Sequence, residues 1–213
     1  MKCDKDVMLL YAVTDRAWVG EQSLYEQVES ALKGGATCIQ LREKELSDEA
    51  FLKEALELVE LCKQYGVPFL INDHVEIAIQ SKADGIHVGQ DDMPVAQVRQ
   101  QVGQDMIIGV SVSTVEEALE AVQNGADYLG VGAMFSTSTK LDVDVLSKEM
   151  LRAICMAVNV PVVAIGGIGK SNIAQLSGTG VDGVALVSAI FSAENIEDEC
   201  RLLRRLSEEM VNA

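Results

Sequence analysis

The sequence predicts an α/β protein, a single (β/α)8 TIM barrel that spans residues 1–213. Short runs of apolar, mostly β-branched residues alternate with amphipathic helical patterns along the whole chain. Strands that alternate with helices pair in parallel through right-handed crossovers, and eight such units close into a barrel. The length fits one domain, because α/β barrels of roughly 200 to 250 residues do not divide.

Eight strands and eight helices follow one another in the predicted order. The strands are Val7–Val13, Thr37–Leu41, Pro68–Ile71, Gly85–Val88, Met106–Val110, Tyr128–Val131, Val162–Ile165 and Val184–Val187. The helices are Glu21–Gly34, Ser47–Tyr65, Val75–Ser81, Pro94–Val102, Thr114–Asn124, Ser147–Val158, Ser171–Leu176 and Ile196–Val211.

Residues at the helix starts support these boundaries. Ser47 is a favourable N-cap for the second helix, and Pro94 suits the first turn of the fourth. Thr114 is followed three residues later by Glu117, which is the pattern of a capping box. A doubly wound open sheet is the alternative fold, but it has fewer strands and a glycine-rich fingerprint after the first one, where this chain has Thr14, Asp15 and Arg16.

Composition excludes several classes of partner. The formal net charge of -16 argues against nucleic acid and anionic membranes, and no apolar run reaches the roughly 20 residues of a membrane helix. The charged start of the chain is not a secretory signal, so we expect a cytoplasmic protein. The five scattered cysteines are expected to be reduced thiols. The oligomeric state stays open, with a homo-oligomer among the possibilities.

The stretch Gln40 to Lys44 forms a cluster of donors at the end of the second strand. Alternate residues of a strand share a face, so Gln40, Arg42 and Lys44 are predicted to point one way and Glu43 the other. An amide, a guanidinium and an ammonium suit a phosphate or diphosphate. A solvated strand end explains this stretch equally well when it is considered alone.

The other strand ends deliver polar residues to the same rim, where barrels place their chemistry. They are Asn72 and Asp73 after the third strand, Asp92 after the fourth, Ser111 after the fifth, Thr137, Thr139 and Lys140 after the sixth, Gly166 and Gly167 after the seventh, and Ser188 after the eighth. The glycines and Ser188 match the phosphate site that barrels build after strands 7 and 8, although a plain turn is the alternative for the glycines.

Asp73 and Asp92 fall beside the predicted second anion site. Two carboxylates would repel a phosphate unless a divalent metal lay between them, and Mg2+ takes one or two carboxylates together with water and phosphate oxygens. Helix capping is the alternative for each aspartate, because each precedes a helix. We find no Ser-His-Asp or Cys-His set, and His74 and His87 receive no catalytic role.

Several motifs, taken together in order and spacing, carry a resemblance over nearly the whole chain. They are Gln40-Leu41-Arg42-Glu43-Lys44, Ile71-Asn72-Asp73, the run from Ala83 to Asp92, Gly109-Val110-Ser111, Thr137-Ser138-Thr139-Lys140 and Ile165-Gly166-Gly167-Ile168. The chain resembles thiamine-phosphate synthases, which are single-domain (β/α)8 barrels. That family joins a hydroxymethylpyrimidine diphosphate to a thiazole phosphate, releases pyrophosphate and uses magnesium.

The resemblance implies a role for each residue at a matching position. The pyrimidine diphosphate would be held by Gln40, Arg42, Lys44, Asn72, Ser111, Thr137, Thr139 and Lys140, of which Arg42, Lys44, Ser111 and Lys140 would be catalytic. Asp73 and Asp92 would bind Mg2+, and Gly167, Val187 and Ser188 would hold the thiazole phosphate.

One departure from the family pattern concerns the loop after the sixth strand. This chain has Ala133-Met134-Phe135-Ser136 where many members have a proline-containing pattern, which puts the dynamics of the loop in doubt more than the activity. Residues 135–144 are the candidate lid. Thiazole tautomerases, which share the barrel but lack the full diphosphate set, and a non-catalytic phosphate-binding barrel are the rival functions.

Overall fold

The computed structural model describes residues 3–20, 22–136 and 145–213. Eight parallel strands close into a barrel in sequential order, so the predicted (β/α)8 fold is confirmed. The strands are β1 Leu10–Val13, β2 Cys38–Leu41, β3 Phe69–Asn72, β4 Gly85–Val88, β5 Ile107–Val112, β6 Tyr128–Val131, β7 Val162–Ile165 and β8 Gly183–Leu186. The α-helices are α1 Leu24–Lys33, α2 Asp48–Tyr65, α3 Val75–Ser81, α4 Val95–Val102, α5 Val115–Gln123, α6 Lys148–Ala157, α7 Ser188–Phe191 and α8 Ile196–Val211.

The structure differs from the prediction in the first strand, in the seventh helix and in one additional helix. The first strand begins at Leu10 because Asp6–Met8 form a short 3-10 helix, in which the N–H of Leu9 donates to the carbonyl of Asp6. The predicted seventh helix is a single 3-10 segment, Ile173–Leu176. Helix α7 was not predicted, because four residues are too few to give a helical pattern.

Side-chain caps fix most helix starts as the sequence indicates. Ser47 and Thr114 cap α2 and α5 as predicted. Helix α1 starts later than predicted, at Leu24, because Ser23 and Glu26 form a reciprocal capping box. Within the described ranges, no helix combines the length and the apolar character needed to cross a bilayer.

The apolar core lies in two layers. Most buried side chains fill the space between the strands and the surrounding helices. A smaller cluster fills the inside of the barrel, where Tyr11 and Tyr128 are its largest members, together with Cys38, Leu70 and Val163. These residues come from alternate positions of the strands, as the pleat requires. The interior is therefore filled below the carboxyl ends of the strands.

Four side-chain hydrogen bonds fasten the opposite, amino-terminal face. In each, a backbone N–H of an odd-numbered strand donates to the side chain of the residue that precedes the next strand. We call these hydrogen bonds the four amino-face ties. The N–H of Leu10 donates to Thr37 Oγ1 at 2.8 Å, that of Phe69 to Asp84 Oδ2 at 2.9 Å, that of Ile108 to Asp127 Oδ2 at 2.8 Å and that of Val162 to Asp182 Oδ2 at 2.9 Å. Each tie thus joins two neighbouring strands.

Candidate active site

A cavity of about 300 Å³ opens at the carboxyl ends of the strands. Its lining includes the sequence-predicted residues Gln40, Arg42, Lys44, Asn72, Asp73, Asp92, Ser111, Gly167, Val187 and Ser188. Thr137, Thr139 and Lys140 lie outside the described residues, as does most of the segment predicted as a lid. The residues of strands 2 to 5 and of strands 7 and 8 therefore meet in one place.

Glu43 organises the loop that follows β2. Its buried carboxylate accepts hydrogen bonds from the backbone N–H groups of Lys44 at 2.7 Å and Glu45 at 2.8 Å, and it pairs with Arg16 at 2.6 Å. Burial alone would raise the pKa of Glu43, but these donors outweigh burial and hold the pKa below its usual value. The loop is fixed in the shape that turns Arg42 and Lys44 toward the cavity.

Both cations of this loop are paired with carboxylates. Arg42 Nη1 lies 3.2 Å from Asp15 Oδ2, and Lys44 Nζ lies 2.5 Å from Asp73 Oδ2. About half of the Lys44 side chain remains exposed, at 52%. These cations are thus held at the cavity wall in orientations that an anionic ligand could share or take over.

Asp73 and Asp92 lie side by side in the cavity, and neither caps a helix. His74 is the N-cap of α3, with Nδ1 accepting from the N–H of Ile77, and Pro94 is the N-cap of α4. Asp92 Oδ2 instead accepts from the N–H of Gly89 at 2.7 Å. The capping alternative is therefore wrong for both aspartates.

Asp73 has an unusual backbone conformation and an unusual charge environment. Its φ of 62° is left-handed, a region that non-glycine residues other than Asn and Asp rarely adopt. Burial raises the pKa of its carboxyl, Lys44 lowers it, and the neighbouring carboxyl of Asp92 raises it again, with a net rise. Two carboxylates held this close are poised to share a cation.

His87 also lines the cavity, although no role is predicted for it from the sequence. Its Nδ1 lies 2.7 Å from the hydroxyl of Tyr128 and its Nε2 lies 2.9 Å from Ser111 Oγ. The Tyr128 hydroxyl lies 2.8 Å from that of Tyr11, which accepts from Gln40 Nε2 at 2.6 Å. All of these side chains occupy inward-facing strand positions, the same parity that predicts the direction of Gln40 and Arg42. Strand parity in the sequence therefore indicates that His87 faces the inside of the barrel.

The conformation of Gly167 serves packing as well as the cavity. Its φ is 65°, and a Cβ there would lie 2.4 Å from the carbonyl oxygen of Ser136 and 2.7 Å from that of Phe135. Glycine is required because the main chain of the loop after β6 approaches so closely. Helix α7 begins at Ser188 directly after β8, beside this turn.

The fold and the cavity define the class of the chain: a (β/α)8 barrel with a charged site at the carboxyl ends of its strands, where barrel enzymes carry out catalysis. The family model described as thiamine monophosphate synthase matches residues 10–190. The chain belongs to the thiamine monophosphate synthase family, and it is therefore identified as an enzyme, a transferase.

Individual relatives agree with this assignment. The chain is 49% identical over 194 residues to the thiamine-phosphate synthase of Clostridium acetobutylicum, covering 91% of this chain and 92% of that one. It is 47% identical over 195 residues to that of Clostridium botulinum, covering 92% of each. The solved thiamine phosphate pyrophosphorylase of Pyrococcus furiosus superposes with a TM-score of 0.90 at 40% identity, covering 97% of this chain and 98% of that one.

Proposed function

We propose that the chain is a thiamine-phosphate synthase that joins 4-amino-5-hydroxymethyl-2-methylpyrimidine diphosphate to a thiazole phosphate. The observation that carries the proposal is the meeting of two cations, Arg42 and Lys44, with two carboxylates, Asp73 and Asp92, in one cavity. A diphosphate bound through a divalent metal uses both kinds of group at once. Family membership supplies the identity of the two substrates.

The diphosphate is assigned to the cations and hydroxyls of the rim. Arg42 offers a planar pair of N–H donors and Lys44 a mobile ammonium, and Ser111 lines the same cavity. Gln40 and Asn72 complete the described part of this set. Thr137, Thr139 and Lys140, outside the described residues, are assigned to the same substrate from their position in the sequence.

Asp73 and Asp92 would hold Mg2+. The donor set fits, because Mg2+ binds through one or two carboxylates and fills its other positions with water and phosphate oxygens. Among the described residues, no three His, Cys, Asp or Glu side chains group as a complete protein-made metal site. When bound, the metal would neutralise charge on the diphosphate.

The reaction we propose is dissociative. The bond between the pyrimidine methylene carbon and the diphosphate oxygen breaks, and its electron pair leaves with pyrophosphate. The aminopyrimidine ring stabilises the resulting carbocation, and the thiazole nitrogen uses its lone pair to form the new carbon–nitrogen bond. Arg42, Lys44 and Lys140 stabilise the negative charge that develops on the leaving group, and the cavity aligns the two substrates.

The thiazole phosphate is assigned to the part of the cavity formed by the ends of β7 and β8. Gly167, Val187 and Ser188 line the cavity there, where α7 begins. Barrels commonly bind phosphate at this place through backbone N–H groups. The nucleophile would thus approach from the ends of β7 and β8.

Two rival functions make different predictions. A thiazole tautomerase would isomerise its substrate without releasing pyrophosphate. A non-catalytic binding barrel would bind the phosphorylated ligands without turnover. The retained pair of Asp73 and Asp92 favours the synthase over both, because neither rival needs two carboxylates beside a cationic pocket.

A coupled pyrophosphate-release assay with both substrates, with and without Mg2+, tests the proposal. We expect release that requires both substrates and the metal. The proposal would be overturned if pyrophosphate were released when both the thiazole phosphate and Mg2+ are absent, or if no pyrophosphate were released at all. Lys140→Ala is expected to lower kcat by about a hundredfold to a thousandfold, as for other preorganised anion stabilisers. Lys148→Ala, at an exposed position of helix α6, is the matched control.

A further inference from the structure

Five polar side chains form a continuous hydrogen-bonded series inside the barrel, which we call the buried chain. It runs Gln40, Tyr11, Tyr128, His87, Ser111, with successive distances of 2.6, 2.8, 2.7 and 2.9 Å. Both ends, Gln40 and Ser111, line the cavity. The three middle members are buried, with Tyr11 and Tyr128 about 1% exposed or less.

The chemistry of the members gives the buried chain a direction. Gln40 Nε2 donates to the Tyr11 hydroxyl, so the single proton of that hydroxyl is available for Tyr128. When Tyr11 donates to Tyr128, the Tyr128 hydroxyl keeps its own proton to donate to His87 Nδ1. A neutral imidazole that accepts at Nδ1 carries its proton at Nε2 and donates it to Ser111 Oγ.

The protonation states required by this order agree with the burial of the groups. His87 is buried, and both of its ring nitrogens face uncharged hydroxyls, an environment that favours the neutral ring. Burial raises the pKa of Tyr11 and of Tyr128 well above the usual value, so both phenols keep their protons. Every link of the buried chain is therefore a neutral donor facing a neutral acceptor.

The fold makes space for the buried chain at one inward position. A Cβ on Gly109 would lie 2.1 Å from Cζ of Tyr128, so glycine on β5 leaves room for the phenol ring. The end of the chain is held from outside as well, because Gln90 Nε2 donates to the carbonyl of Ser111 at 2.7 Å. The residue that reaches the cavity is thus fixed in main chain and side chain.

We propose that Tyr11, Tyr128 and His87 are positioning residues that hold Ser111 as a hydrogen-bond donor to the substrate. Because Ser111 Oγ accepts from His87, its own proton is free to point into the cavity, toward an acceptor atom of the bound substrate. With the chain reversed, Ser111 would donate to His87 and could only accept. This inference rests on the proposed function for the identity of the substrate, but the direction of the chain does not.

The direction is measured on the ligand-free protein by NMR of histidine labelled with 15N. The chain has two histidines, and His74→Asn, which preserves a capping side chain, assigns the signals. We expect His87 to show a protonated Nε2 and an unprotonated Nδ1. A protonated Nδ1 would overturn the proposal, and this result needs no substitution in the buried chain.

Substitution tests whether the tautomer depends on Tyr128. Tyr128→Phe keeps the ring and removes the hydroxyl that donates to His87, so we expect the single-tautomer pattern to be lost. Tyr25→Phe, at an exposed position of helix α1, is the matched control and should leave both histidines unchanged. An unaltered His87 spectrum in Tyr128→Phe would contradict the proposal.

Kinetics connect the buried chain to Ser111. We expect Tyr128→Phe to lower kcat about tenfold with little change in KM, since one directed hydrogen bond is worth about that factor. In the Ser111→Ala background the same substitution should have no further effect, because its action passes through Ser111. Independent, multiplicative effects would overturn the positioning role. If the unsubstituted chain released no pyrophosphate, the proposed function would fail while the NMR result still decided the direction.

Discussion

Lys44 Nζ lies 2.5 Å from Asp73 Oδ2, so a cation proposed for the diphosphate is paired with a carboxylate proposed for the metal. The pair keeps two opposite charges together at the mouth of the cavity. Binding of a metal and a diphosphate would give each of them a new partner of opposite sign. On the proposed function, the ion pair would lie where the two ligands meet.

Replacing Asp73 by Asn is expected to lower turnover by about a hundredfold or more. The substitution keeps the shape of the side chain but removes the charge that would hold Mg2+. Pyrophosphate release across a range of Mg2+ concentrations measures the effect. Asp91→Asn is the control, because Asp91 is exposed and lies outside the lining of the cavity. Turnover and metal dependence that survive in Asp73→Asn would exclude the metal role.

Replacing Arg42 by Lys is expected to lower kcat/KM for the pyrimidine diphosphate tenfold to a hundredfold, roughly 1.4 to 3 kcal/mol. The charge is retained, but the planar pair of donors is lost. Steady-state kinetics at saturating thiazole phosphate measure the change. Arg152→Lys, where the exposed guanidinium bonds the carbonyl of Gly178 on the surface, should behave as the unsubstituted chain. Equal kinetics for both variants would refute a bidentate role for Arg42.

His87 should make the folded state less stable as the pH falls. In the unfolded chain His87 binds a proton near its ordinary pKa of about 6.5, whereas burial lowers its folded pKa to about 4. The unfolded state therefore gains the proton first, and stability is lost as the pH falls from about 6.5 toward 4. The loss between pH 7 and pH 5 is about 2 kcal/mol.

Urea unfolding of the chain and of His87→Gln at the two pH values isolates this contribution. The carboxylates titrate equally in both proteins, so the difference between their pH dependences belongs to His87. We expect the variant to lose about 2 kcal/mol less than the unsubstituted chain over this range. Parallel curves would show that His87 titrates normally in the folded protein.

Replacing Gly109 by Ala is expected to destabilise the fold by about 2 kcal/mol. The added Cβ would lie 2.1 Å from Cζ of Tyr128, whose ring is fully buried, so the ring or the strand would have to shift. Urea denaturation measures the change. Gly20→Ala is the control, since nothing lies within 4 Å of a Cβ there. Equal stability of the two variants would mean that the ring of Tyr128 can move aside at low cost.

The sequence predicted the barrel well because its signals are local and repeated. Each strand is a short apolar run, and most helices are preceded by a residue whose side chain caps the first turn, as at Ser47 and Thr114. The sequence did not predict the helix Ser188–Phe191, because four residues are too few to show helical periodicity. The single-domain organisation, the cytoplasmic location and the oligomeric state stay predictions.

The site was predictable in part, through strand order and side-chain parity. Those two rules bring Arg42, Asp73 and Asp92 to one cavity, as the structure has them. The buried chain was not predicted, because it depends on which inward-facing residues are in contact across the barrel. Tyr11 and Tyr128, for example, are 117 residues apart in the sequence. A tyrosine within an apolar strand run looks like core, and only the contact reveals the hydrogen bond.

The four amino-face ties join the eight strands in four pairs, because each tie connects an odd-numbered strand to the strand that follows it. Helix α8 also lies close to the start of β1, since Ser207 Oγ donates to the carbonyl of Leu9 at 2.6 Å. A circularly permuted chain opened at Gly66, between two of these strand pairs, would keep both residues of every tie close in sequence. One opened at Lys82 would place Phe69 and Asp84 near opposite termini, so alternate loops are the places where the connectivity can change without separating the two residues of a tie.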